Sequence, residues 1–208
     1  MLDVFRNSYD EFLNALLEHI EISFIAIVTA IILAIFVTIF LNFYKELSHI
    51  TIYLFSLMYA IPSFALFALL LPITGLGRTT AVIVLVIYAQ YILVRTFLSG
   101  LSQVDKHVIE AAKAMGMTKW QILLKVQFPL AKKSFFAGLR LASCAIIAIA
   151  TIGATINAGG LGVVLFDGLR TMNLPKLLWG IILTVGLSLL TNLIIYLVEE
   201  LFQKEYSV

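Results

Sequence analysis

Residues 110–129 read EAAKAMGMTKWQILLKVQFP, and the fold turns on how this stretch is read. Val108, Ala111, Ala112 and Met115 fall at i, i+3, i+4 and i+7, so residues from about 104 to 115 carry one small apolar helical face. Gly116 stands where a helix ends in a left-handed residue, a conformation free of a Cβ penalty only in glycine. Thr118 offers a side-chain oxygen to a new helix, and Gln121 three residues on completes a capping box. This second helix carries Trp120, Leu123, Leu124 and Val126. It is expected to stop at Phe128, because a residue before proline is pushed away from helical conformation. The result is a helix–glycine–helix elbow whose alanine face is narrow enough for another backbone to approach closely.

Around the elbow the chain is strongly apolar. Of its 208 residues 62% are hydrophobic and 12% charged, with a mean hydropathy of +1.05, far from the range of soluble domains. Charges cluster between long apolar stretches, as they must when each stretch crosses ~30 Å of hydrocarbon as a helix. The single cysteine, Cys144, excludes an intramolecular disulfide and a cysteine-based metal site. A formal net charge of +2 gives no footing for nucleic acid. The start is acidic, with Asp3, Asp10, Glu11, Glu18 and Glu21 against Arg6, so no cleavable signal peptide is expected.

Five spans are predicted, at about 22–43, 50–71, 79–94, 135–156 and 177–198, forming a single all-α integral membrane domain over residues 1–208. Pro62 is expected to kink the second span and Pro72 to end it. The third is short and extends towards Leu101 if Arg95 snorkels. Arg95, Lys106, Lys113, Lys119, Lys125, Lys132 and Lys133 lie between spans three and four, so the loop segment 102–133 is placed in the cytoplasm, with the amino terminus outside and the carboxyl terminus inside. Residues 8–21 put Tyr9, Phe12, Leu13, Leu16, Leu17 and Ile20 on one helical face, which predicts a short amphipathic helix on the outer surface. Anchoring and contact with an external partner are both open uses for it. His19, His49 and His107 fall at or beyond span ends, where histidine is solvated. No His-Glu-x-x-His and no carboxylate pair lies within the spans, so the chain is not read as an enzyme.

The pattern Glu110-Ala111-Ala112, then Gly116, then Val126-x-Phe128-Pro129 resembles the cytoplasmic coupling loop of binding-protein-dependent ABC importers. Tyr59-Ala-Ile-Pro-Ser-Phe-Ala-Leu-Phe-Ala-Leu-Leu and Thr151-Ile-Gly-Ala-Thr-Ile-Asn-Ala-Gly-Gly-Leu-Gly extend the resemblance over roughly residues 20–200. They are similar to the membrane subunits that import glycine betaine, choline and carnitine. Asn157 and Val163 depart from that family's usual glycine and acidic residue. The runner-up cargo is an amino acid such as methionine.

The resemblance implies that Glu110, Ala111, Ala112, Met115, Gly116, Trp120 and Pro129 dock a separate ATPase. It also implies a second permease subunit, identical or paralogous, and an extracellular solute-binding lipoprotein, all at the bacterial cytoplasmic membrane. No cofactor is expected in this chain, since ATP and magnesium would belong to the ATPase. Gly75-Leu-Gly-Arg-Thr-Thr lacks the spacing and lysine of a nucleotide-binding loop, and no fused receptor domain is expected.

Glu110 has an alternative use as a helix-surface partner of Lys106 or Lys113, Gly116 as an ordinary cap and Trp120 as an interfacial anchor. Two stripes of small and hydroxylated residues serve either helix packing or a solute path. They run through Cys144, Ala148, Thr151 and Thr155, and through Gly180, Thr184, Ser188 and Thr191. Tyr88 and Gln90 are further pathway candidates. Gly159, Gly160 and Gly162, with Asn157, form either a re-entrant turn at an outer gate or a plain loop. No Asp, Glu, Lys or His is expected mid-span, which argues against an ion-coupled carrier.

Overall fold

The structure, a computed structural model, describes residues 8–204 together with Val4 and Arg6; Asp3 of the acidic start lies outside them. The helices are α1 (Tyr9–Phe43), α2 (Lys45–Ala60), α3 (Ser63–Thr74), α4 (Arg78–Ser102), α5 (Lys106–Ala114), α6 (Lys119–Ile122), α7 (Phe128–Ala150), α8 (Leu161–Arg170) and α9 (Leu174–Lys204). A π turn, Leu123–Gln127, joins α6 to α7, and a 3-10 turn, Thr151–Ile156, extends α7. Among the described residues, four helical stretches are long and apolar enough to cross a membrane, and the bent pair α2–α3 raises this to as many as five.

Helix α4 is the hub, packed between α1 and α7 with α2 and α3 against it. Small residues let these helices approach closely. Ala26, Ala30 and Ala34 of α1 recur every fourth residue and meet Ala81, Val84, Leu85 and Ala89 of α4, while Ala142, Ile146 and Ala150 come from α7. By contrast, the apolar stretch of α9 is only 6% buried, so its surface faces lipid or another chain.

Three expectations about the spans are corrected. Residues 8–21 are not a separate helix, because α1 runs unbroken from Tyr9 to Phe43. Its acidic residues find protein partners: the Arg78 guanidinium donates to Glu21 at 2.7 Å and to Glu18 at 3.3 Å. Pro62 does more than kink its helix. Ile61 takes an extended conformation (ψ 129°), as the residue before proline tends to, and α2 and α3 diverge by 97°. Pro72 does not end the segment, since α3 continues to Thr74 and stops at Gly75. The third span does extend past Leu101, to Ser102.

The two ends of the bundle are distinguishable. At one end the last residues of α1 touch the elbow: Phe43 and Trp120 rings lie 4.8 Å apart, and the Asn42 amide donates to Gln127 at 3.4 Å. The end of α9 joins them, where Lys132 donates to the Phe202 carbonyl at 3.1 Å. At the opposite end sit the start of α1, Arg78 and the turn 157–162.

Candidate functional site: the coupling elbow and the turn at the far end of α7

Local chemistry builds the elbow much as the residues dictate. Asp105 caps α5 by accepting from the His107 amide at 2.8 Å, so the helix begins two residues later than expected. Its last turn closes in a Schellman arrangement: the Met117 amide donates to Ala112 O (3.1 Å) and the Gly116 amide to Lys113 O (2.9 Å). Gly116 has φ +79°. Thr118 and Gln121 form the reciprocal capping box at the start of α6.

The face of α5 divides where one stripe was expected. Ala112 is buried and points inward, whereas Val108, Ala111 and Met115 are exposed, Met115 by 76%. Glu110 is exposed and approaches His107 rather than Lys106 or Lys113. Trp120, half exposed against Phe43, continues this outward apolar patch together with Leu124. The elbow thus presents apolar side chains to the aqueous end of the bundle, a placement costly without a partner.

The second helix does not stop at Phe128. The π turn, in which the Phe128 amide reaches back to Leu123 O, seats Pro129 in the first turn of α7, where its missing N–H costs least. The chain from Lys119 to Ile156 is therefore one 38-residue helical element. It connects the elbow directly to the far end of the bundle.

That far end is a built turn rather than a plain loop. Asn157, Gly159 and Gly160 all have positive φ. The Gly160 amide donates to Glu18 at 2.9 Å, and the Leu161 amide to His19 Nδ1 at 3.2 Å. His19 Nε2 in turn donates to the Ile147 carbonyl at 3.0 Å. His19 is wholly buried, contrary to the solvated position expected for it. A Cβ on Gly162 would lie 1.8 Å from Thr151 O, so only glycine lets α8 fold back across the end of α7.

The remaining pathway candidates take other places. Tyr88 is buried, and its hydroxyl donates to the Ile61 carbonyl at the α2–α3 break. Gln90 donates to Ala30 O at 3.1 Å, between α4 and α1. Thr151, Thr155 and Thr184 return their hydroxyls to carbonyls of their own helical turns. Ser188 reaches the Cys144 sulfur at 3.5 Å, which brings parts of the two small-residue stripes together.

Asn192, which sequence reasoning passed over, donates to the same sulfur at 2.8 Å. It lines a cavity of about 420 Å3 with Ala137, Arg140, Leu141 and Cys144. Arg140 also pairs with the buried Glu199. Amide and carboxylate residues in an apolar stretch are the signal that would have found them. No group of three metal-ligating side chains occurs among the described residues.

This architecture matches known proteins. The sequence model for the inner membrane component of binding-protein-dependent transport systems matches residues 26–208. The chain belongs to that family. It is a multi-pass subunit of a bacterial inner-membrane importer, a transport component rather than an enzyme. A carnitine transport permease protein, OpuCB, of Listeria monocytogenes is 34% identical over 175 residues, covering 84% of this chain and 80% of its own. The glycine betaine/carnitine/choline transport system permease protein OpuCD of Bacillus subtilis (strain 168) is 32% identical over 184 residues, covering 88% and 80%. The inward-facing methionine transporter MetNI has a chain that superposes with a TM-score of 0.84 over 92% of this chain and 95% of its own. At 19% identity this shows the fold alone.

Proposed function

We propose that this chain is the translocating subunit of an ATP-driven importer for a quaternary ammonium osmoprotectant: glycine betaine, carnitine or choline. It has five spans, α2–α3 counting as one, with the amino terminus outside and the elbow inside. The excess of Lys and Arg around α5 and α6 supports that orientation. So does the placement of the two ends of α1 at opposite ends of the bundle. The cargo reading rests on the relatives, whose printed activities are osmoprotectant transport.

The observation that carries the mechanism is the exposed apolar elbow continuous with α7. Val108, Ala111, Met115 and Trp120 dock a separate ATPase, which holds the ATP and magnesium. Closure of the motor moves the elbow. The helical element Lys119–Ile156 transmits that movement to the turn 157–162, where Glu18 and His19 hold the backbone. A second permease subunit covers part of the exposed surface of α9, and an extracellular receptor delivers solute. The pathway runs along the α7–α9 side, near Cys144, Ser188 and Asn192.

The test is uptake by the reconstituted complex in proteoliposomes, with ATP inside and receptor outside, using labelled glycine betaine, carnitine, choline and methionine. ATP-dependent, receptor-dependent uptake of one or more of the first three is expected. Uptake of methionine alone would overturn the cargo reading, and uptake without ATP would overturn the mechanism.

A further inference from the structure

Beside the elbow lies an open cavity of about 710 Å3 between the α1–α2 corner and α5–α6. Lys45, Lys113 and Lys119 come to it from three separate helices, with Glu46 the one carboxylate in its lining. None of the three lysines has an ion-pair partner among the described residues, although acidic groups elsewhere in the chain are paired. The linked amides of Asn42 and Gln127 also line the cavity, adding neutral polar atoms beside the ammonium groups.

The depth of this cavity is marked by aromatic rings. Phe40 and Tyr44 pair at 4.8 Å, and Phe43 packs against Trp120 at 4.8 Å, at the last turn of the apolar α1 helix. Such rings gather at the level of lipid headgroups. Three uncompensated lysines converging at headgroup depth, on the leaflet where anionic lipid is concentrated, form a site for a phosphodiester. Leu47, Ile109 and Ile122 supply apolar walls on which the start of an acyl chain can lie.

We infer that the cavity between the α1–α2 corner and the coupling elbow binds the headgroup of an anionic glycerophospholipid, through Lys45, Lys113 and Lys119. The occupant bridges α1, α2 and the elbow, so it fixes the height of the elbow relative to the membrane surface. The inference rests on the orientation proposed above. Its test reads lipid binding directly and needs neither the ATPase nor transport, so its failure is separable from failure of the importer mechanism.

Trp120 is one of only two tryptophans and stands at the cavity's edge. In a Trp179→Phe background it becomes the sole indole reporter. The full chain is placed in phosphatidylcholine nanodiscs containing increasing fractions of brominated phosphatidylglycerol or of brominated phosphatidylcholine. Half-maximal quenching is expected at a mole fraction about 100-fold lower for the anionic lipid, given a contribution of about fivefold from each of the three lysines. Replacing all three lysines with glutamine should remove that preference, and replacing all three with arginine should keep it.

Equal quenching by the two lipids, or a preference untouched by the glutamine variant, would overturn the inference. Release of quenching by millimolar inorganic phosphate would identify a free-phosphate site instead. That result also counts against a lipid occupant.

Discussion

Substitution of Gly116 separates the elbow's backbone geometry from its packing. Its φ of +79° is one that L-residues adopt at a cost, yet a Cβ added there meets no heavy atom within 4 Å. Gly116→Ala therefore introduces strain without collision, worth about 1–2 kcal/mol for a residue forced into the left-handed region. Free protein escapes the strain by unwinding the last turn of α5, where the Met117–Ala112 and Gly116–Lys113 hydrogen bonds close the helix. A docked elbow must restore that turn. Docking of the ATPase should then weaken by up to about 5–30-fold, since each 1.4 kcal/mol is tenfold.

Asparagine tolerates positive φ better than other side chains, so Gly116→Asn should dock nearly as the parent does, while β-branched Gly116→Val should be worst. The assay titrates purified ATPase onto the permease in nanodiscs and reads half-saturation, with thermal unfolding as a control on the fold. An asparagine variant as impaired as the valine one, or an alanine variant with unchanged half-saturation, would refute the reasoning.

Other substitutions probe the far end and the lateral face. Gly162→Ala should disrupt the turn at the end of α7, because its methyl would meet Thr151 O at 1.8 Å; uptake should fall while ATPase docking survives in whatever folded protein is recovered. A double-mutant cycle on Arg140→Gln and Glu199→Gln should give a coupling energy of about 0.5–3 kcal/mol in detergent unfolding, as expected for a largely buried ion pair. Hydrogen bonds from Lys176, then Arg170, hold the Asp167 carboxyl below its usual range. A depressed carboxylate stabilises above its unfolded pKa and loses that contribution as pH falls through the folded value. Thermal stability should accordingly be flat near neutrality and fall in acid, and Asp167→Asn should flatten the acid limb.

What the sequence disclosed and what it hid follow from the range of the forces involved. The Gly116 turn and the Thr118–Gln121 capping box are written in residues within three or four positions of each other, so they were legible. Hydropathy located the long helices for the same reason. The unbroken start of α1 was not legible, because it depends on Glu18 and Glu21 meeting Arg78, and on His19 meeting Ile147 and Leu161, across 57 to 142 residues. Amphipathicity in residues 8–21 reads the same whether the polar face meets water or another part of the chain.

At Pro62 the sequence announced a lost hydrogen bond, but how far α3 swings away is set by its packing on α4. Pro129 carried the opposite lesson, since a π turn absorbs it and keeps α6 joined to α7. The division of the α5 face was hidden too. Helical periodicity groups Ala112 with Ala111, whereas tertiary contact decides which of them faces inward.

The most direct test of the account is to purify the tagged chain from its native membrane in mild detergent and identify co-purifying subunits by mass spectrometry. A wild-type elbow is expected to bring down a separate ATPase, a solute-binding lipoprotein and a permease partner. Gly116→Val, inserted and folded, should bring down much less ATPase. Recovery of the folded wild-type chain alone, or of as much ATPase with the Gly116→Val variant as with the wild type, would contradict the claim that this elbow couples the permease to its motor.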